Sequence, residues 1–123
     1  MTTTSYNPPM YTYDTLPDGQ AEWFDLFFND LYPGSVYWLR EVEIYDDHLV
    51  LHEQYEDATH TVTPDDVLET IHKHGGWFRD HRYRYYRKWI ADASVGDFEH
   101  ADYDSDVTDC VLQFCLFGKI IYG

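Results

Sequence analysis

One short stretch of the chain alternates arginine and tyrosine, side chains suited to binding anionic groups and flat rings. It runs from His72 to Trp89, HKHGGWFRDHRYRYYRKW, and holds six of the eight Lys and Arg residues. Asp80 is its one acid, so six cations against one acid give +5 in a chain of −15, which leaves −20 for the remainder. Guanidinium groups bind carboxylates and phosphates, and tyrosine rings stack on bases or fill protein interfaces. We call this stretch the basic segment.

Three interpretations of the basic segment stay open. Its arginines pair with the chain's own carboxylates, such as those of residues 92–106, or they contact a protein partner, or they bind nucleic acid. A saline habitat would disfavour nucleic acid, because phosphate binding weakens steeply with salt. The candidate partner-binding residues are Arg79, Arg82, Tyr83, Arg84, Tyr86, Arg87 and Lys88. Pairing within the chain is the default interpretation. Among functions, a protein partner is the leading expectation, and a second copy of the chain or a viral or defence assembly would serve as one.

No other residues form a known catalytic or cofactor-binding pattern. The chain has no G-x-S-x-G, P-loop or G-x-G-x-x-G sequence, and no H-E-x-x-H or paired C-x-x-C spacing for zinc. His48 and His52 lie four apart on a presumed strand and would be the first ligands to test if a metal bound. Cys110 and Cys115 lie five apart in an apolar segment, which predicts two small core residues and no mutual disulfide. We therefore expect no enzyme, no cofactor and no metal.

The acidic remainder has two competing explanations. Sixteen aspartates outnumber seven glutamates and only three lysines are present, with acids spread along the whole chain. Either this is a surface adapted to high salt, or it imitates nucleic-acid phosphates and blocks a DNA-binding defence enzyme. In this composition, and in the C-terminal run VLQFCLFGKIIYG, the chain resembles small acidic proteins of salt-in haloarchaea and their viruses. The resemblance implies provenance and no activity.

The N-terminal region and the hydropathy pattern bear on location. The first residues have neither the basic nor the apolar region of a signal peptide, and no apolar run approaches the ~20 residues of a membrane span. We expect a protein of the cytoplasm or of a virion, with no membrane partner. Residues 1–17 read as a flexible arm, with Tyr6, Tyr11 and Tyr13 as candidates to hold it to the body, and residues 18–123 as one domain.

Helical periodicity and end signals predict four helices. The first spans 19–32, capped by Asp18 and ended by Pro33-Gly34. Its buried stripe holds Trp23, Leu26, Phe27 and Leu31, and Phe24 and Phe28 widen it. The second begins at Thr63-Pro64-Asp65-Asp66, which provides an N-cap, a proline at N1 and two acids in the first turn. Gly75-Gly76 should stop or bend that helix. The third spans 77–90 with Phe78, Tyr85 and Trp89 facing the core, and the fourth spans 106–117 and ends at Gly118.

Alternating apolar residues between the first two helices predict three strands. They lie at 36–45, 48–55 and 58–62, with turns at Asp46-Asp47 and Glu56-Asp57. The packed face of the first strand is expected to carry Val36, Trp38, Val42 and Ile44, with Arg40 interrupting it. Residues 119–123 form a short final strand or lay Ile120 and Ile121 over the core. The fold class is α+β: a three-stranded antiparallel meander packed by helices in the order α-β-β-β-α-α-α.

Overall fold

A computed structural model describes residues 9–31 and 36–122, and it has the predicted α+β architecture. A short 3-10 helix at Tyr13–Thr15 precedes the main elements. These are α1 (Ala21–Asn29), β1 (Leu39–Ile44), β2 (Leu49–Glu53), β3 (Thr59–Val62), α2 (Pro64–Arg79), α3 (Arg84–Ala93) and α4 (Ser105–Phe117). The order α-β-β-β-α-α-α is confirmed. No helix in the described part of the chain is long and apolar enough to cross a bilayer.

Helix α1 buries a narrower stripe than the sequence predicts. Phe24, Phe27 and Phe28 are buried, whereas Trp23 and Leu26 are exposed. The phenylalanines occupy the arc that meets the core, and Phe24 packs edge-to-face on Phe98 at 5.0 Å between ring centroids. The prediction that Asp18 caps the helix is wrong, because the N-cap position is Gln20. Pro33-Gly34, the predicted helix end, lie outside the described residues.

The three strands form an antiparallel meander in the order β1-β2-β3, as predicted. Leu49 and Leu51 of β2 are fully buried, and Leu51 pairs with Val42 on one side and His60 on the other. The register of β1 shifts between Leu39 and Glu41. Ile44, predicted to face the core, is instead 56% exposed at the end of β1.

Helix α2 begins as predicted but continues past the expected stop. The Thr63 side chain accepts a hydrogen bond from the Asp66 amide at 3.1 Å, and the Asp66 carboxylate accepts one from the Thr63 amide at 2.9 Å. The helix then runs through Gly75-Gly76 to Arg79. Glycine can adopt helical dihedral angles at a cost of about 1 kcal/mol each. Burial of Ile71 and Phe78 on either side offsets that cost.

The predicted helix over 77–90 is wrong, because the chain breaks at residues 80–83 and turns back as α3. Phe78 and Trp89 are both buried, and their ring centroids lie 5.0 Å apart. On one straight helix, eleven residues would separate them by about 16 Å along the axis. The two rings can meet only if the chain folds back between them. The free energy gained by burying both rings in the core outweighs the free energy lost when the helical hydrogen bonds at residues 80–83 do not form.

Helix α4 and the C-terminal residues close the core. Asp104 caps α4 by accepting a hydrogen bond from the Val107 amide at 3.0 Å, and Gly118 ends it with φ of 70°, as predicted. Residues 120–122 form no strand. The Gln113 side chain accepts hydrogen bonds from the amides of Ile121 and Tyr122. Ile120 packs against the core, whereas Ile121 is exposed.

Two tyrosines hold the described part of the N-terminal arm, residues 9–17, to the body. The Tyr11 hydroxyl donates to the carbonyl oxygen of Val95 at 3.3 Å. The Tyr13 amide donates to Asp65 at 2.8 Å, and its hydroxyl donates to Asp25 at 2.9 Å. Tyr6 lies outside the described residues.

Candidate interaction surface

The basic segment forms a sharp turn at the surface, between the end of α2 and the start of α3. We call residues Trp77 to Tyr86 the corner. The chain is held in this turn by Arg87, whose Nη1 donates to the carbonyl oxygens of His81 at 2.9 Å and Arg82 at 2.8 Å. Those carbonyls lie where helical hydrogen bonding stops, so the guanidinium satisfies acceptors that the break would leave open. Arg87, one of the expected partner-binding residues, therefore holds the turn in place.

Three aromatic rings of the corner reach the solvent. Trp77 is 37%, Tyr83 44% and Tyr85 40% exposed, and the two tyrosine rings stack with centroids 6.0 Å apart. Tyr85, predicted to face the core, therefore lies at the surface. Tyr86, expected at the surface as a partner-binding residue, is 6% exposed and packs against Phe78. The break changes the phase of the helix, so the inward position moves by one residue.

The cations of the corner differ in how far the protein already neutralises them. Arg79 makes two hydrogen bonds to Asp80, at 3.0 and 3.2 Å, and this contact holds the pKa of Asp80 below its usual range. Arg82 donates a hydrogen bond to the Tyr83 hydroxyl at 3.1 Å, and its guanidinium carbon lies 4.9 Å from the centroid of that ring. Arg84 is exposed and makes no hydrogen bond or ion pair with any described residue. Arg82 and Arg84 are thus the cations with no carboxylate partner in the described part of the chain.

Pairing of the basic segment with residues 92–106 is limited. Lys88 donates to the carboxylate of Asp92 and to the carbonyl oxygen of His100, and the Asp92 contact raises the pKa of Lys88. This lysine joins α3 to the following turn, a structural role for another of the expected partner-binding residues. Arg82, Arg84 and Arg87 make no ion pair with a described carboxylate.

His81 lies at the centre of the corner and is held in its neutral form. Its Nδ1 accepts a hydrogen bond from the Tyr83 amide at 3.1 Å, which requires that nitrogen to carry no proton. Partial burial lowers the pKa of His81, and the positive charges of Arg82 and Arg87 lower it further. The ring lies 4.8 Å from Trp77 and 4.4 Å from Tyr86, measured between centroids. It therefore packs against both the exposed ring of Trp77 and the buried ring of Tyr86.

A second surface feature is an open cleft of about 720 Å³, which the sequence did not predict. Four segments contribute to it, at 13–14, 25–29, 44–47 and 63–65. Five aspartates line it: Asp14, Asp25, Asp46, Asp47 and Asp65. No Lys, Arg or His is among the described residues that line it, and Tyr13, Ile44 and Tyr45 supply an apolar part. We call this the aspartate cleft. One part of the cleft is contiguous in sequence, because the predicted Asp46-Asp47 turn directly follows Ile44 and Tyr45. The other lining residues come from distant segments, so no local sequence pattern predicts the cleft.

The two histidines and two cysteines that the sequence singles out, His48, His52, Cys110 and Cys115, have local partners. His48 lies 2.6 Å from Asp47, and His52 lies 2.8 Å from Glu43, so these two histidines interact with different carboxylates. Within residues 9–31 and 36–122, no group of three or more His, Cys, Asp or Glu residues is arranged to hold a metal ion. Both cysteines are free and half-buried, and burial raises the pKa of Cys110 to about 11 and that of Cys115 to about 12. Neither is a thiolate at neutral pH, the form a nucleophile needs.

One buried carboxylate stands out among the polar groups of the core. Glu53 is 4% exposed, its Oε2 lies 2.7 Å from His60 Nε2, and its Oε1 accepts a hydrogen bond from the Tyr122 hydroxyl at 3.1 Å. The contacts join β2, β3 and the C-terminal residues. Both carboxylate oxygens are satisfied within the protein, so we assign Glu53 a structural role.

Comparison of the chain with protein-family models, curated proteins and solved structures gives no match. Functional inference for this protein therefore depends on its surface chemistry.

Proposed function

We propose that this is a non-enzymatic interaction protein, an assembly or accessory component of a halophilic archaeon or its virus, which contacts a protein partner through the corner. The observation that carries the proposal is the juxtaposition of Trp77, Tyr83 and Tyr85, all solvent-exposed, with Arg82 and Arg84. Trp, Tyr and Arg are the residues most enriched in binding hot spots. The contact residues we propose are these five, a revision of the set expected from sequence.

The distribution of acids supports a saline habitat. All sixteen aspartates lie in the described ranges, and thirteen are exposed, three half-buried and none buried. Short carboxylates at the surface retain water and cations, and they lack the long apolar stems that lysines would expose. In high salt, long-range attraction is screened within about 3 Å at 1 M. A recognition surface built from aromatic rings and contact-range arginines suits that condition.

The proposal is tested with a charge-matched pair of variants. Arg82→Glu/Arg84→Glu removes the two unpaired cations of the corner, and Lys73→Glu/Lys119→Glu makes the same change in net charge at exposed positions elsewhere. The tagged full chain is expressed in the organism that encodes it, cross-linked and purified. We expect a defined partner to accompany the wild type and the control variant and to be lost from the corner variant. Equal recovery with both variants would overturn the proposal.

Nucleic acid is the alternative that the same surface raises. Two arginines without carboxylate partners provide about two phosphate contacts. The logarithm of the DNA association constant would then fall with the logarithm of salt concentration with a slope of only about −1.8. A DNA mimic, in contrast, would bind no DNA and would compete with DNA for a target enzyme. The aspartate cleft favours the mimic over direct binding. A filter-binding salt series with the wild type and the corner variant separates the two: DNA binding that the corner variant loses identifies a binder.

A further inference from the structure

The two charged surfaces of the molecule lie at opposite ends of one helix. The aspartate cleft includes Thr63, Pro64 and Asp65 at the start of α2, and the corner begins at Trp77 near its end. Helix α2 has 16 residues and is therefore about 24 Å long. The surfaces are too far apart to meet within one molecule, so any contact between them joins two molecules.

We infer that copies of this chain associate head to tail, with the corner of one copy docked in the aspartate cleft of the next. The inference rests on the proposed function, since it uses the same contact surface and names its partner as a second copy. Such an interface is heterologous: each molecule presents two different surfaces, and repeated contacts give a closed ring or an open filament.

Charge complementarity supports the corner of a second copy as the occupant of the cleft. In the corner, Arg82 and Arg84 have no carboxylate partner among the described residues. In the cleft, Asp14 and Asp46 are exposed and make no hydrogen bond or ion pair through their side chains with any described residue. Two guanidinium groups without a described carboxylate partner thus match two carboxylates without a described cationic partner, and opposite potentials on facing surfaces fix the register of a complex.

The apolar parts of the two surfaces are also complementary. The cleft presents Ile44, 56% exposed, and Tyr45, 46% exposed, and the corner presents Tyr83 and Tyr85. A volume of about 720 Å³ is within the range of pockets that enclose compact ligands, about 300–1,000 Å³. The cleft can therefore take a protruding turn with one arginine and one tyrosine side chain.

Two of the remaining cleft aspartates prepare the site for a cation, and the third, Asp47, lies 2.6 Å from His48. Asp25 accepts hydrogen bonds from the Tyr13 hydroxyl, and Asp65 accepts one from the Tyr13 amide. These neutral donors fix the two carboxylates in place and leave their negative charges uncompensated. An incoming guanidinium meets acceptors that are already oriented, which lowers the entropic cost of binding.

The test uses two variants that each disable one surface. Arg82→Glu/Arg84→Glu reverses the charge of two corner residues and leaves the cleft unchanged. Asp14→Lys/Asp46→Lys reverses the charge of two cleft residues and leaves the corner unchanged. Sedimentation equilibrium is measured over a wide range of protein concentrations, at the lowest KCl concentration at which circular dichroism shows folded protein. We expect the wild type to form species larger than dimers, and each variant alone to show an association constant at least about tenfold lower than that of the wild type.

Mixing the two variants gives the decisive result. An intact corner on one variant meets an intact cleft on the other, so the mixture should form 1:1 dimers and nothing larger. The Lys73→Glu/Lys119→Glu control should assemble like the wild type. If Asp14→Lys/Asp46→Lys lowers stability, Asp14→Asn/Asp46→Asn provides a milder cleft variant and should also weaken association.

Three results would overturn the inference: a monomeric wild type at every concentration, a mixture that stays monomeric, or association that survives the cleft substitutions. The proposed function is judged separately. If the corner variant still loses its cross-linked partner while the wild type is monomeric, the corner binds a different protein and only the head-to-tail inference fails.

Discussion

The guanidinium of Arg87 reaches back six residues to donate a hydrogen bond to the carbonyl oxygen of His81 at 2.9 Å, and the same nitrogen also bonds the carbonyl of Arg82. This contact closes the turn between α2 and α3. We predict that Arg87→Met, which keeps an apolar stem, lowers the free energy of unfolding by about 1–2 kcal/mol, because two carbonyls lose a charged donor. Urea denaturation gives the value.

Arg84→Met is the matched control for that prediction. Arg84 belongs to the same helix and is exposed, with no hydrogen-bond or ion-pair partner in the described part of the chain. Its substitution should change stability by no more than about 0.5 kcal/mol. Equal losses from the two variants would show that Arg87 does not hold the turn.

Protonation of His81 should weaken the corner at mildly acidic pH. The pKa of this histidine is lowered in the folded protein by burial and by Arg82 and Arg87. The unfolded chain therefore binds the proton more readily, near the ordinary value of about 6.5. The contribution of the neutral ring is fully present above that pH and is lost as the pH falls through it toward the folded pKa.

His81→Asn isolates this effect, since its amide oxygen can accept the Tyr83 amide but does not titrate. Stability is compared between pH 7.5 and 5.5 by urea denaturation, and the wild type should lose more than the variant. His74, whose pKa burial also lowers, and His100, whose pKa Asp97 raises, contribute equally to both proteins and cancel. Parallel pH curves would contradict the role assigned to His81.

Gly96 fixes how closely the N-terminal arm approaches the α3–α4 connection. Its φ is +79°, and a Cβ atom there would lie 2.8 Å from two side-chain carbons of Pro17 and 3.2 Å from Tyr11. Gly96→Ala should therefore cost both backbone strain and displacement of the arm, about 2–4 kcal/mol in total.

Gly19→Ala separates these two costs. Gly19 has the same φ of +79°, but nothing lies within 4 Å of an added Cβ. Only the backbone cost remains, about 1–2 kcal/mol. Thermal unfolding of both variants provides the comparison, and a Gly96→Ala loss no larger than that of Gly19→Ala would mean that the arm is not tightly packed there.

The buried carboxylate of Glu53 should contribute far more to stability than an exposed counterpart in the same sheet. Glu53→Ala leaves His60 and the Tyr122 hydroxyl without their acceptor, and we expect a loss of about 2–3 kcal/mol. Glu43 pairs with His52 across β1 and β2 in a similar arrangement but with a 40% exposed side chain. Glu43→Ala should cost clearly less than Glu53→Ala by urea denaturation, because solvent screens an exposed pair, and equal costs would refute the structural role of Glu53.

Folding should require salt if the acidic surface is an adaptation to a saline habitat. At −15, self-repulsion destabilises the compact state in dilute buffer and is screened as KCl is added. Circular dichroism against KCl should show a folding midpoint. Asp18→Asn/Asp57→Asn, two exposed substitutions that remove two charges, should move it to lower KCl. Full stability of the wild type without salt would instead favour the DNA-mimic alternative.

Local sequence signals predicted the element order and several element ends. Thr63 and Asp66 form their capping hydrogen bonds within one turn, and Gly118 takes the left-handed conformation that ends α4. These features depend on residues three or four positions apart, so the sequence carries their whole cause. The prediction that Gly75-Gly76 stops α2 was wrong. Glycine disfavours a helix only weakly, and the burial of Ile71 and Phe78 on either side outweighs that preference.

The sequence by itself determined that arginine and tyrosine are concentrated in one segment of an acidic chain, and that this segment is helix-forming. Only the tertiary structure decided where it bends, because the bend follows from the contact between Phe78 and Trp89. That bend turned Tyr86 inward, exposed Tyr85 and committed Arg87 to the backbone. The aspartate cleft likewise required residues 13–14 and 63–65 to meet, a long-range contact that no local pattern encodes.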